Sequence, residues 1–423
     1  MFNQIYTIKF VTIKQYFYII QIMINIQDIQ EAKQRLNGIT RETPVTYAPI
    51  LSMKNNADIY LKQENLQLTG SFKIRGAFNK IAKLTKEERD SGVVAASAGN
   101  HAQGLAFSAQ HFNCDATIVM PEATPLLKVN GVKSYGANVV LYGANFDEAY
   151  KYANEIALKE NKTFVHPFAD DDVIAGQGTL ALEILEEIDN IDIIIIPIGG
   201  AGLISGMATA IKHIKPSIKI IGVVASGANA MKNSFEAKEQ LNSKSVKTIA
   251  DGIAVRDVTP RMLDYVLELV DEVIEVEDTE IASAILFLLE QHKLVVEGAG
   301  ATGVAAVMHN KINIDGKKVV LPLSGGNIDV TMLAQIIEKG LVKSSRKMKL
   351  VITLMDKPGS LKELTAIFEK VSANIVQIDY DRDSVSLAFG EANITIAMET
   401  KGEEHQENIK NELRKAGYRF KEI

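Results

Sequence analysis

The chain has 423 residues, of which 47% are hydrophobic and 23% are charged, as is typical of a globular protein with a core of ordinary size. Its formal net charge is -6 at pH 7, which does not provide the basic surface that nucleic-acid binding requires. The single cysteine, Cys114, excludes an intramolecular disulfide, which fits the reducing cytoplasm. We therefore expect a cytoplasmic protein. We expect neither nucleic-acid nor membrane partners.

Residues 1–22 are rich in apolar side chains, but Lys9, Lys14 and Gln15 interrupt them. No apolar run reaches the ~18 residues that span a bilayer. The basic start and the small-residue cleavage site of a signal peptide are also missing. We therefore predict an extension outside the fold, with the native chain starting at Met23. An interfacial helix is the alternative.

From residue 23 onward, predicted strands alternate with helical patterns. The strands are expected at 59–62, 93–96, 116–120, 139–142, 163–166, 191–198, 220–224 and 319–323, and the clearest helices at 26–36, 71–84 and 101–112. The run 191–198 is almost wholly apolar, which is typical of a strand buried on both faces of a parallel sheet. The alternation predicts an α/β fold with open parallel sheets over residues 23–342.

The pattern changes after a polar linker at 343–347. The remainder, 348–423, reads as strand, helix, two strands, helix and strand, which is the ferredoxin-like βαββαβ order. Its predicted strands are 348–355, 374–380, 393–398 and 418–423, and its helices are 360–371 and 403–416. This region is poor in catalytic groups, so we expect a dimerisation module or a ligand sensor.

Three glycine-rich loops follow predicted strands or open predicted helices. They are Ser97–His101, Gly199–Leu203 and Ser324–Asn327. In an open α/β sheet, loops at the carboxyl ends of the strands build the ligand crevice. The three loops together indicate a site for an anionic small molecule.

The second loop is the strongest candidate for holding a phosphate, because glycines let backbone N–H groups approach an anion. Its glycines fall at Gly200, Gly202 and Gly206, which departs from the G-x-G-x-x-G spacing of dinucleotide sites. The strand that follows, 220–224, does not end on an acidic residue. The loop therefore favours one phosphate over NAD, and a tight turn without a ligand remains the alternative.

Lys73 lies at the start of the helix predicted over 71–84, where Ser71 is expected to be the cap. The positive end of the helix and partial burial would both lower the pKa of the lysine. A neutral amine is what a nucleophilic lysine needs. A solvated lysine is the alternative for this residue taken alone.

Four motifs in this order, GSFKIRGA, SAGNHAQG, GGAGL and SGGN, resemble the threonine/serine dehydratase branch of the fold-type II enzymes that use pyridoxal 5'-phosphate. The resemblance covers about residues 26–340. It implies that Lys73 is catalytic and forms the Schiff base with the cofactor. The other cofactor contacts that it implies are Phe72, Asn100, Gly199, Gly200, Ala201, Gly202, Leu203 and Ser324, and the substrate contacts are Ser97, Gly99, His101 and Gly252.

The resemblance also implies roles within these sets. Phe72 would lie against the cofactor ring, Asn100 would bind the ring hydroxyl, and Ser324 would face the pyridine nitrogen. A neutral serine there would leave that nitrogen unprotonated, which favours loss of the β-hydroxyl over reprotonation. Glu297 matches an acid near the ring.

The sequence departs from the family pattern at three places. Ala201 replaces a glycine of the phosphate loop, and its methyl group is expected to require a negative φ. Ala98 stands where racemases of this family carry a serine, which disfavours racemisation. The stretch 224–229 has no carboxylate, so we predict no divalent metal at the position where some relatives bind one.

The tail resembles an ACT regulatory domain at Asp356–Leu361 and Ala373–Val376. One copy is present, so a ligand site would need a partner subunit, in a homodimer or a homotetramer. The expected effector is isoleucine or valine, and a catabolic enzyme without feedback is the alternative.

These expectations define a threonine dehydratase that forms 2-oxobutanoate and ammonia and also acts on serine. A β-replacing synthase of the same fold and a non-catalytic amino-acid-binding regulator remain as alternatives.

Overall fold

The structure, a computed structural model, describes residues 23–383 and 387–423. The described residues divide into two compact units, with the boundary between Ile328 and Asp329. The extension predicted at 1–22 lies outside the described residues, so it stays a prediction. In the part of the chain that the structure describes, every helix is too short or too polar to cross a membrane.

A large sheet forms the centre of the first unit. Within the described residues it has six strands, in the spatial order Val45–Tyr47, Asp58–Lys62, Lys318–Pro322, Ile193–Pro197, Lys219–Ala225 and Glu272–Val276. The first pair is antiparallel and the other neighbours are parallel. Ile193–Pro197 is buried at every position, because helices cover both faces of the sheet.

A smaller parallel sheet lies in the same unit. Its order, among the described residues, is Asn138–Leu141, Ala116–Met120, Val93–Ala96 and Thr163–Phe164. The helices of the unit are Ile26–Leu36, Pro49–Asn55, Lys73–Lys83, Lys86–Ser91, Asn100–His111, Leu126–Lys133, Phe146–Glu160, Asp171–Glu187, Gly202–Ile214, Ala230–Ala237, Pro260–Leu269, Asp278–Phe287 and Gly298–Met308. The two parallel sheets agree with the predicted α/β architecture.

Two helices that position the site pack unusually closely. These are Lys73–Lys83 and Asp171–Glu187, which meet through Gly76 and Gly176. A Cβ on Gly76 would lie 2.3 Å from the Gln177 side chain, and one on Gly176 would lie 2.4 Å from a backbone oxygen of the partner helix. Glycine at both positions lets the two backbones touch, which fixes the first turn of the helix that carries Lys73.

The second unit begins with helix Val330–Lys343, and its sheet begins at Lys347, immediately after the turn that falls in the predicted linker. The spatial order of the strands is Asn374–Asp381, Glu391–Glu399, Lys347–Met355 and Arg419–Glu422, all antiparallel. Helices Ser360–Lys370 and Glu403–Lys415 complete the βαββαβ order. Alternate residues of the strand 347–355 are buried, as expected for a sheet with helices on one face.

Candidate active site

Lys73 is the first residue of its helix, and its Nζ donates a hydrogen bond to the Pro167 carbonyl oxygen at 3.0 Å. Burial lowers the pKa of Lys73 to about 8, and the Glu297 carboxylate partly opposes this effect. The neutral fraction of the amine near physiological pH is therefore larger than for an ordinary lysine. This is the state in which a lysine acts as a nucleophile or a base.

The predicted cap at Ser71 is wrong. Phe72 occupies the cap position and no side chain caps this helix. The Phe72 amide donates to the Ser324 carbonyl oxygen at 3.1 Å, so the third glycine-rich loop holds the helix start. Ser71 Oγ is buried and has no hydrogen-bond partner among the described residues. A buried hydroxyl without a partner fits a site that is completed by a bound group.

The second glycine-rich loop leads into helix Gly202–Ile214, which begins without a side-chain cap. Gly202, Leu203 and Ile204, the first three residues of the helix, are buried. A buried helix start leaves its N–H groups without partners, and the helix dipole adds positive potential there. An anion such as a phosphate fits this end.

The negative φ predicted for Ala201 is also wrong. Its φ is 68° and its ψ is 0°, so it adopts the left-handed conformation instead of the negative φ that its methyl group was expected to require. The side chain is nevertheless buried. The loop keeps the backbone shape of a glycine-rich turn and carries the strain of a Cβ at this position.

The chain's own packing requires glycine beside Ala201. A Cβ on Gly200 would lie 2.3 Å from the Phe168 ring, and one on Gly202 would lie 2.9 Å from Phe168 Cβ. A Cβ on Gly99, in contrast, would meet nothing within 4 Å. The first loop therefore borders open space, as a loop that admits a ligand must.

A chain of side-chain hydrogen bonds joins the first and third loops. Asn100 Nδ2 donates to Glu297 Oε1 at 2.7 Å, and Asn327 Nδ2 donates to Asn100 Oδ1 at 2.7 Å. Burial raises the pKa of the Glu297 carboxyl group. A Cβ on Gly252 would lie 3.3 Å from Glu297 Oε1, which places the predicted substrate contact at the same point.

His101 is turned away from the first loop and into the protein. Its Nε2 hydrogen-bonds to the Val165 carbonyl oxygen at 3.1 Å, whereas its Nδ1 is buried without a partner among the described residues. Burial lowers the pKa of His101 to about 3, so the ring is neutral. The Gly99 amide donates to Ser97 Oγ at 3.3 Å, which holds the turn of this loop.

The sequence reasoning missed the segment Val165–Ala169. The Pro167 carbonyl oxygen accepts the hydrogen bond from Lys73, and Phe168 packs on the second glycine-rich loop. It also gave no role to Asn327, although this residue stands in the SGGN motif. Nothing in the segment 165–169 resembles a ligand-binding loop, so no sequence signal was available for it.

Side chains of the stretch 224–229, where no divalent metal is predicted, form hydrogen bonds to nearby glutamates. Ser226 Oγ donates to Glu277 Oε2 at 2.8 Å, and Asn229 Nδ2 donates to Glu275 Oε2 at 3.2 Å. The described residues contain no cluster of three or more His, Cys, Asp or Glu side chains placed to hold a metal.

These features define a class of protein. The same unit contains a lysine amine of lowered pKa and a buried helix start at which an anion would be stabilised. It also contains buried polar atoms that have no hydrogen-bond partner among the described residues. An α/β enzyme that holds a phosphorylated carbonyl cofactor at its lysine fits this arrangement.

Comparison with known proteins identifies the family. The pattern of the pyridoxal-phosphate dependent enzymes matches residues 36–325, and the chain belongs to this family. The chain is 49% identical over 396 residues to an L-threonine ammonia-lyase of Thermotoga maritima, covering 94% of this chain and 98% of that protein. An L-threonine ammonia-lyase of Geobacter sulfurreducens is 45% identical over 390 residues, covering 92% and 97%.

Solved structures agree. Threonine deaminase isoform 2 of Solanum lycopersicum superposes with a TM-score of 0.71 at 38% identity, covering 76% of this chain and 88% of that chain. Maize serine racemase gives 0.71 at 35% identity, covering 75% and 98%. The fold-type II architecture, the cofactor and the family predicted from the motifs are confirmed.

Proposed function

We propose that this chain is an L-threonine ammonia-lyase that forms 2-oxobutanoate and ammonia and also accepts L-serine. The observation that carries the proposal is the placement of the Lys73 amine, with a pKa of about 8, in a family that uses pyridoxal phosphate. Relatives that match almost the whole chain bear the name L-threonine ammonia-lyase. That extended match supports the substrate as well as the reaction.

The residues divide the work of holding the cofactor. The backbone N–H groups of Gly199–Leu203 would bind the phosphate, and Lys73 would hold the carbonyl end. Phe72, Asn100 and Ser324 would contact the ring. Bound pyridoxal phosphate supplies an electron-withdrawing ring that stabilises negative charge on the α-carbon of the substrate.

The chain's own groups position the substrate and move its protons. The loop of Ser97, Gly99 and His101 would orient the α-carboxylate, and Gly252 would also contact the substrate. Lys73 Nζ would remove the α-proton of the substrate as a general base. A pKa of about 8 leaves a larger neutral fraction of the amine near neutral pH than the ordinary pKa of a lysine would.

Ser324 directs the outcome toward elimination. It is buried, and its backbone holds the start of the Lys73 helix. A neutral hydroxyl next to the ring nitrogen favours rapid loss of the β-hydroxyl group. Ser324→Asp should therefore lower the rate of ammonia release from threonine, and unchanged turnover would argue against this role. Ala98 offers no hydroxyl to protonate the opposite face of the α-carbon, so we expect no racemisation.

The direct test is turnover of threonine by the holoenzyme, followed as 2-oxobutanoate and ammonia in equal amounts. Lys73→Met should abolish it. Lys83→Met is the matched control, because Lys83 lies on the same helix with its Nζ paired to Asp172 Oδ1 at 2.6 Å on the surface. Absence of product from both threonine and serine would refute the proposal, whereas product formed only when a thiol is added would indicate the β-replacing synthase.

The tail is proposed to act as an ACT regulatory domain in a homo-oligomer. Its edge strand Asn374–Asp381 exposes Val376, Ile378 and Tyr380, which supports pairing with a second subunit. Titrating isoleucine or valine into the threonine assay tests regulation. Inhibition would support a biosynthetic enzyme with feedback, and no response to either amino acid would contradict this part of the proposal.

A further inference from the structure

The segment Val165–Ala169 contacts functional groups from two helices at once. The Val165 carbonyl oxygen accepts a hydrogen bond from His101 Nε2 at 3.1 Å. Two residues later, the Pro167 carbonyl oxygen accepts one from Lys73 Nζ at 3.0 Å. The backbone of this segment therefore sets where the Lys73 amine lies.

The same segment supports the phosphate loop. The Phe168 ring fills the space in front of Gly200, where a Cβ would lie 2.3 Å from the ring. Its backbone and Cβ face Gly202 at 2.9 to 3.0 Å from the position of a Cβ there. A change in the backbone at Phe168 would move the support of this loop.

His166 holds the turn between these contacts. Its Nδ1 accepts hydrogen bonds from the backbone N–H groups of Phe168 at 3.2 Å and of Ala169 at 2.9 Å. The lone pair must be on Nδ1 and the proton on Nε2 for both bonds to form. The ring is held edge-on to Phe168, with centroids 4.5 Å apart, and lies near the rings of Tyr150 and Phe164.

We propose that His166 is a positioning residue of the active site, which acts through the two amides that Nδ1 accepts. It fixes the turn that presents the Pro167 carbonyl to Lys73 and seats Phe168 against the phosphate loop. The inference rests on the proposed roles of Lys73 and of Gly199–Leu203. It does not depend on which amino acid is the substrate.

The charges around the ring agree with this role. The groups that act on it are Lys73, Asp170 and His101, of which His101 is neutral. Burial and the nearby Lys73 lower the pKa of His166 to about 4, and Asp170 opposes the shift. The ring thus keeps its acceptor over the working range of pH, and an imidazolium would lose both bonds.

Three substitutions of His166 distinguish the effect of its hydrogen-bond acceptor, Nδ1, from the effect of the rest of the imidazole ring. In His166→Asn, Oδ1 takes the place of Nδ1 and can accept from the same two amides, as in an Asx turn. In His166→Gln the acceptor lies one carbon farther from the backbone, and in His166→Leu it is missing. His309→Leu is the control, because it removes a histidine hydrogen bond, to Ser283 Oγ at 2.8 Å, away from the site.

The measurement is retention of pyridoxal phosphate by the purified holoenzyme without substrate, followed by cofactor absorbance during dialysis and by titration of the apoprotein. We expect His166→Asn to stay within about threefold of the parent and His166→Leu to bind at least about tenfold more weakly. His166→Gln should be as weak as the leucine variant, and His309→Leu should bind like the parent.

The Asn and Gln variants decide the question if His166→Leu does not fold. Equal retention of pyridoxal phosphate by these two variants would overturn the inference, whether both bind it like the parent or both bind it weakly. A second readout is the pH profile of retention, where the parent should lose cofactor as the pH falls toward 4 and His166→Asn should lose it at lower pH. Because no substrate is present, threonine turnover fails or succeeds independently of these results.

Discussion

Lys73 should destabilise the apoprotein at neutral pH. The ordinary pKa of a lysine, 10.5, falls to about 8 at this position because the charged amine is buried. The folded protein therefore binds this proton less tightly than the unfolded chain, and the charged form of Lys73 costs stability below pH 8. We expect apo Lys73→Met to be more stable than the apo parent at pH 7.

The size of the effect follows from linkage. The interval between the two pKa values corresponds to about 3 kcal/mol, of which the lost hydrogen bond to the Pro167 carbonyl offsets about 1 kcal/mol. The net gain should be about 2 kcal/mol at pH 7. It should shrink as the pH rises from 8 to 10.5, because the amine then becomes neutral in the folded state and later in the unfolded state.

Urea denaturation of both apoproteins at pH 7 and near pH 10 measures this difference. Lys83→Met, on the same helix but at the surface, should change the free energy of unfolding by less than about 1 kcal/mol. An apo parent as stable as Lys73→Met at pH 7 would refute the reasoning. A difference that does not depend on pH would do so as well, because packing of the methionine would then be its cause.

Two further substitutions test the support of the site by thermal and chemical unfolding. Ala201→Gly should raise the free energy of unfolding by about 0.5–1 kcal/mol, because the relief of left-handed strain exceeds the added chain entropy, whereas Ala157→Gly in a helix interior should lower it by about 1 kcal/mol. No gain in the first variant would contradict the strain. Arg75→Met should cost about 3–5 kcal/mol, because it leaves the buried Glu64, now 2.8 Å from Arg75 Nε, without its charge partner. The comparison is the exposed ion pair of Lys86 with Asp90, where Lys86→Met should change the free energy of unfolding by less than about 1 kcal/mol. Equal effects of Arg75→Met and Lys86→Met would contradict a special role for the buried pair.

The sequence predicted most of the sheets because their strands are buried. Val93–Ala96 and Ala116–Met120 have the predicted bounds, and all their residues are buried apolar or small side chains. Val45–Tyr47 was missed, since it is three residues long, antiparallel and partly exposed. Glu272–Val276 was also missed, because two adjacent apolar residues between its glutamates break the polar–apolar alternation that predicts a half-buried strand.

Buried ion pairs were beyond prediction for a different reason. Arg75 binds Glu64 and Glu183, and Lys62 Nζ reaches Glu183 Oε2 at 2.8 Å. These residues come from separate parts of the sequence, and each one taken alone resembles an ordinary surface charge. The packing of helix Lys73–Lys83 against Asp171–Glu187 brings Arg75 to Glu183, and the strand Asp58–Lys62 with the turn after it adds Lys62 and Glu64.

Two local rules fail close to Lys73 and in the second glycine-rich loop. Local hydrogen bonding predicts that Ser71 caps a helix, and the steric preference of alanine predicts that Ala201 avoids positive φ. Instead, neither helix start has a side-chain cap, the buried Ser71 hydroxyl has no partner among the described residues, and Ala201 adopts a left-handed conformation. Such local violations are expected where the structure is completed by a bound group. These departures fall beside Lys73 and in the second glycine-rich loop, which supports the proposal that both take part in holding the cofactor.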